Sequence, residues 1–303
     1  MATLKGQNFR VLLENESQEY VCVAMATNCT ITLTNNVDDS GTKDDTGMAS
    51  KPVTISKSWQ VQVESLNVSD VGAMLTAIKN LSKFSLVWDE TSTSDNTTPS
   101  GASFARKGSA YLTDATFTFN NRENSAKQLT FTGNSELETL SSAPSFDSPS
   151  AGSYTKGQFV RLFLSKDNTT SPTKVIASAK QLTLHTSMTL EDATTKDTAG
   201  DWQIQEPTAL SYDISTNALV RSGESITASV QAQTLADIEE VYDDGTPVKW
   251  QIANVSGANN RTKGSVIASG SVIVQTLTMN GPNKQNSDYT AQLQGYGAYT
   301  VGS

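Results

Sequence analysis

The sequence predicts a mainly β protein, a β-sandwich or half-barrel with one packed α-helix per domain, arranged as two tandem similar domains. Three observations predict it. Val, Ile, Leu and Phe alternate with polar residues along most of the chain, which is the period of a strand. Only two runs carry helical periodicity, Val71, Met74, Leu75, Ile78 and Leu81 in one and Leu235, Ile238 and Val241 in the other. Finally, the first half of the chain returns in the second.

The repeat opens with residues 5–13 (KGQNFRVLL), which align without a gap to residues 156–164 (KGQFVRLFL), Arg10 meeting Arg161. Residues 26–47 then align with 179–200, so that Thr42-Lys43-Asp44 meets Thr195-Lys196-Asp197 and Gly47 meets Gly200. At the same spacing Ser58-Trp59-Gln60-Val61-Gln62-Val63 meets Ser211-Tyr212-Asp213-Ile214-Ser215-Thr216, a strand with its aromatic kept. Gln60, Gln62 and Glu64 fall on one face of that strand and Val61 and Val63 on the other. Each half then places its helix. Ser69 is the expected N-cap of the first; Thr234 with Asp237 forms a capping box for the second, which Gly245 stops. An apolar strand follows in each copy (84–88 and 248–252), and each copy closes with a hairpin whose turn is rich in residues that tolerate positive φ, chiefly Asn (120–124 and 280–286).

Residues 141–153, SSAPSFDSPSAGS, have the composition of a linker. The expected division is therefore a first domain over 1–140, a linker over 141–153 and a second domain over 154–303. Residues 37–52 and 190–207 are long polar connections between the same two strands of each copy, and 89–103 is a third long loop.

Composition excludes several functions. The chain has 303 residues and a net charge of −9, which opposes a tight grip on nucleic acid or anionic lipid. No stretch has the roughly 18 apolar residues of a membrane span, and the start lacks a secretory apolar core, so synthesis in the cytoplasm is expected. Cys22 and Cys29 are too few for a disulfide framework or a structural zinc site and read as reduced thiols. His185, the only histidine, lies on a strand where sequence spacing gives it no Asp/Ser catalytic partner, and it reads as a surface or interface imidazole. The acidic pairs Asp38-Asp39, Asp44-Asp45, Glu191-Asp192 and Asp243-Asp244 lack the alternating spacing of a calcium loop. No phosphate-binding, zincin or nucleophile-elbow motif is present. No enzyme activity, cofactor or metal is expected. Of the tryptophans, Trp59, Trp88 and Trp250 are expected beneath the sheets and Trp202 in a loop.

The ordered set of KGQNFRVLL, the 26–34 strand, the Thr/Lys/Asp/Gly loop, the Trp-bearing strand SKSWQVQVESL (56–66), the helix after it and the closing hairpin resembles the tail tube proteins (major tail proteins) of long-tailed bacteriophages. That family shares its fold with the Hcp tubes of type VI secretion. The resemblance implies a virion protein that assembles into stacked rings, a tail tube that conducts double-stranded DNA without binding it specifically. It implies tape measure and tail terminator or tip proteins as partners, and no membrane insertion. It also places inter-ring contacts on the long loops, at Thr42, Lys43, Asp44, Asp45 and Gly47 in one copy and Thr195, Lys196, Asp197, Gly200 and Trp202 in the other. Two copies in one chain point to a trimeric ring with pseudo-sixfold symmetry, because cyclic closure removes open sheet edges. A two-domain adhesin or fibre subunit is the alternative that stays open at this stage.

Overall fold

In a computed structural model of the chain, residues 6–14, 20–23, 25–41, 51–66, 69–90, 105–140, 146–147, 155–165, 171–198, 200–220, 232–256 and 262–302 are described. The first half runs β1 (Phe9–Glu14), β2 (Tyr20–Cys22), β3 (Ala26–Asp39), β4 (Pro52–Ser65), α1 (Val71–Lys79), β5 (Lys83–Glu90), β6 (Arg106–Asn120), β7 (Ala126–Gly133), β8 (Glu138–Thr139) and β9 (Phe146–Asp147). The second runs β10 (Val160–Ser165), β11 (Lys174–Ile176), β12 (Ala179–Asp192), β13 (Gln205–Leu219), β14 (Ala232–Gln233), α2 (Leu235–Asp244), β15 (Val248–Ser256), β16 (Thr262–Asn280) and β17 (Asp288–Val301).

Hydrogen bonding gives the two halves one topology. The first half is ordered β3-β4-β7-β6-β5-β1-β2. The second is ordered β12-β13-β17-β16-β15-β10-β11. Register agrees to the residue. Gln60 faces Thr132 where Asp213 faces Gln294, and Ala110 faces Gly133 where Val272 faces Gly295. Even the irregularities correspond: β6 bulges against β7 between Leu112 and Asp114, and β16 bulges against β17 between Val274 and Thr276.

The same aromatic seat occurs in both. Trp59 is 2% exposed and lies so close to Gly108 and Gly133 that a Cβ on either would collide with its ring; Tyr212 takes that place beneath Gly270 and Gly295. Trp88 and Trp250 are buried beside them, 5.7 Å from Trp59 and Tyr212 respectively. Trp202 alone is half-buried in a loop.

The helices differ in how they start. Thr234 and Asp237 form the expected capping box, and Gly245 ends α2 in the left-handed region at φ 60°. For α1 the N-cap is Asp70 rather than Ser69, and it makes no side-chain cap. Its carboxylate instead meets the buried Lys127 ammonium at 2.5 Å, so the ion pair with β7 displaces the local capping bond. Val71, Leu75 and Ile78 turn inward.

The edge beyond β2 is closed in an unexpected way. In the second half β14, from the segment before α2, pairs in parallel with β11. The first half has only residues 66–70 between β4 and α1, and there β9 pairs in parallel with β2, Tyr20 facing Phe146. The stretch with linker composition thus contributes a strand. Cys22 and Cys29 are free thiols; burial raises the Cys22 pKa and lifts that of Cys29 to about 12, so both stay protonated.

Candidate assembly seam

The halves meet as one sheet. The end of β6 pairs antiparallel with β12, from Ser187 opposite Asp114 to Gln181 opposite Asn120. With this junction the described strands form a single 17-stranded sheet.

Its two faces have opposite chemistry, as strand alternation dictates. On one, Val61, Val63, Phe117, Phe119, Leu129, Phe131, Leu182, Leu184, Ile214 and Leu293 are 3% exposed or less. Helix α1 lies over this face where the halves join, and Tyr299 Oη of β17 donates to the Leu75 carbonyl of α1 at 2.7 Å. The other face is polar: Gln60, Gln62 and Glu64 of β4, Asp114, Thr116 and Thr118 of β6, Thr183, His185 and Ser187 of β12, and Asp213 and Ser215 of β13.

His185 sits in the middle of the seam on that polar face. Its Nδ1 lies 2.6 Å from Asp213 Oδ1 and its Nε2 2.7 Å from Asp114 Oδ2. The hydrogen bonds to Asp114 and then Asp213 outweigh burial and hold the imidazole pKa at about 10. Both ring nitrogens therefore donate, leaving no lone pair for a general base. Sequence spacing hid these partners because register, not proximity along the chain, brings them together. Among the described residues no group of His, Cys, Asp and Glu is arranged to hold a metal ion.

A raised histidine pKa stabilises the folded state most where the unfolded imidazole is already charged, below about pH 6.5, and the contribution fades as pH rises through about 10. His185→Gln should therefore lower unfolding free energy at pH 6 by about 1–2 kcal/mol, allowing for solvent screening of the half-exposed carboxylates. Urea titrations at pH 6 and pH 10 should show the gap between variant and parent narrowing at the higher pH; a gap that stays constant removes the charged clamp.

A second contact crosses the seam. The β12–β13 connection folds back on β4: Lys57 N donates to Asp201 O at 2.7 Å and Gln203 N to Lys57 O at 3.0 Å. The Lys57 ammonium is 3.3 Å from the Asp201 carboxylate and lies over the Trp202 ring. Gln205 N donates to Asn134 Oδ1 at 2.5 Å. The third contact is backbone. Gly157 N donates to Glu123 O and Ser125 N to Thr155 O, and a Cβ at Gly157 would come within 2.4 Å of Asn120 backbone atoms. Only glycine allows this approach.

Of the loop residues expected at a contact surface, Thr195, Lys196, Asp197 and Gly200 are exposed, and Trp202 is engaged with Lys57 in the same chain. Thr42, Lys43, Asp44, Asp45 and Gly47 lie outside the described residues.

Residues 156–301 match the family model described as phage tail tube protein. No curated protein matches the chain in sequence. Solved structures to which this chain is similar include a chain from the tail of an empty gene transfer agent particle, refined with C6 symmetry, at 15% identity and TM-score 0.36, covering 48% of this chain and 95% of that one. A chain from the native gene transfer agent virion is 14% identical, with TM-score 0.37 and coverage of 49% and 99%. The SPP1 tail tube, determined by solid-state NMR and cryo-EM, is 15% identical, with TM-score 0.36 and coverage of 48% and 78%.

Proposed function

We propose that this chain, whose residues 156–301 match the phage tail tube protein model, is a structural protein of the virion tail and builds the tube as stacked rings of three chains. Each chain supplies two tandem tail-tube domains divided at the 141–153 stretch.

One observation carries this reading: the β6–β12 junction joins the two halves edge to edge, and the chain carries the counterparts of both strands again, with no partner at the equivalent edges among the described residues. The strand equivalent to β6 is β16, and the strand equivalent to β12 is β3. Carrying the register across places Ile31 opposite Met279 and Leu33 opposite Leu277, as Leu184 faces Phe117 and Thr186 faces Ala115. At the seam Phe117 and Thr186 are buried; at the open edges Met279 is 52% and Leu33 63% exposed. A free strand edge with apolar side chains is a template for another chain. Gly6 supports the same conclusion. It is the repeat of Gly157, yet no described residue lies within 4 Å of its Cβ position, so the space that glycine leaves awaits a neighbour's hairpin.

A contact that runs from one edge to a different edge is heterologous, and it closes into a ring when its rotation divides the circle evenly; the proposed ring has that closure. The polar face then lines the bore. Its charged residues over the span listed above are Glu64, Asp114, Asp213 and His185, and a Ser/Thr/Gln surface with more acid than base lets phosphates pass without counterion-coupled adhesion. The exposed tips at Thr195, Lys196, Asp197 and Gly200, with Thr42, Lys43, Asp44, Asp45 and Gly47, supply contacts to the next ring. Tape measure, terminator and tip proteins meet the ends.

Native mass spectrometry of isolated rings should give three times the 32.4 kDa chain mass; a sixfold mass overturns the trimer. Deleting residues 42–47 should leave rings that do not stack, and full-length tubes in negative stain would exclude those loops.

A further inference from the structure

Lys57 and Asn134, which receive the β12–β13 connection in the first half, have counterparts in the second half that receive no such connection among the described residues. By register these are Leu210 and Tyr296, and they are 42% and 57% exposed. Beside them lies a cavity of about 290 Å³ lined by Lys79, Leu210, Tyr212, Gly295 and Tyr299 among others. We propose that this cavity is the seat for the β3–β4 connection of a second copy of the chain. The inference rests on the ring reading above and adds a named lateral lock to it.

Three features select that occupant. The chain itself shows the contact once, in the fold-back of residues 201–205 onto β4 and Asn134. The chemistry on both sides also changes together. Asp201 against Lys57 is an ion pair, and the repeat positions are Met48 and Leu210, an apolar pair. Trp202 and Asn134, a large and a small residue, become Ala49 and Tyr296, a small and a large one. Lastly, the stem of the arm presents unpartnered apolar side chains, with Val37, Val53 and Ile55 all more than half exposed. An arm of this kind needs an apolar receiver, and Leu210, Tyr296 and the cavity supply one at the place the pseudo-repeat requires.

The described counterparts of the Gln205–Asn134 contact are Pro52 and Tyr296. A Pro52→Cys/Tyr296→Cys chain, assembled into rings and treated with a short bis-maleimide, should give covalently linked chains up to the full ring on a denaturing gel, and either single variant should not. Rings that assemble but do not cross-link overturn the arm docking and leave the ring reading standing. Wild-type chains that form no rings overturn the ring reading and this inference with it. Leu210→Asp supplies a second readout. It changes an exposed side chain, so the monomer should melt as the parent does while ring yield falls at least tenfold; parental ring yield overturns the proposal.

Discussion

Leu33→Lys and Met279→Lys should each give a folded monomer that forms no rings. Both side chains are more than half exposed in the single chain, so substitution should change its unfolding free energy by about 0.5 kcal/mol or less. In the ring each would bury a lysine opposite an apolar residue, Leu277 or Ile31, and an unpaired buried ammonium costs several kcal/mol at every junction. In the proposed three-chain ring, three such junctions multiply the penalty. Sedimentation velocity with negative-stain imaging checks it: rings at parental yield from either variant would refute the β16–β3 contact.

Phe117→Ala is the complementary case, because Phe117 occupies at the internal seam the place Met279 holds at the open edge. Phe117 is fully buried opposite Leu184. Removing the ring should cost about 3–5 kcal/mol, a large part of a typical domain's stability. Met279→Ala, also a truncation to Cβ on the same sheet face but at an exposed position, should cost the monomer almost nothing. Urea unfolding of the two variants gives the comparison. A loss below about 1 kcal/mol for Phe117→Ala would mean that the seam closes around the gap and is not a packed junction.

Much of this architecture is legible in the chain. Alternation in residues 58–63 assigns Val61 and Val63 to the core because a pleated strand sends neighbours to opposite faces. Thr234 with Asp237 marks the start of α2 because a capping box needs only four consecutive residues. The Lys-Gly-Gln pair at 5–7 and 156–158 exposes the duplication. Ser69 shows where local logic stops: the partner that decides the start of α1 is Lys127, on a strand far along the sequence. His185 shows the same for the seam, where Asp114 and Asp213 arrive from two other strands. Composition around 146–147 reads as linker because nothing local reveals that β2 has an uncovered edge which β9 then fills.

The sequence by itself determined the strand-rich class, the two copies and the identity of each buried face, all of which depend on periodicities a few residues long. Only the tertiary structure decided which edge meets which, how the His185 clamp forms, and which positions of the second copy are left without the partner that the first copy has. Those facts depend on register between strands tens of residues apart, and register is set by the packing of whole sheets.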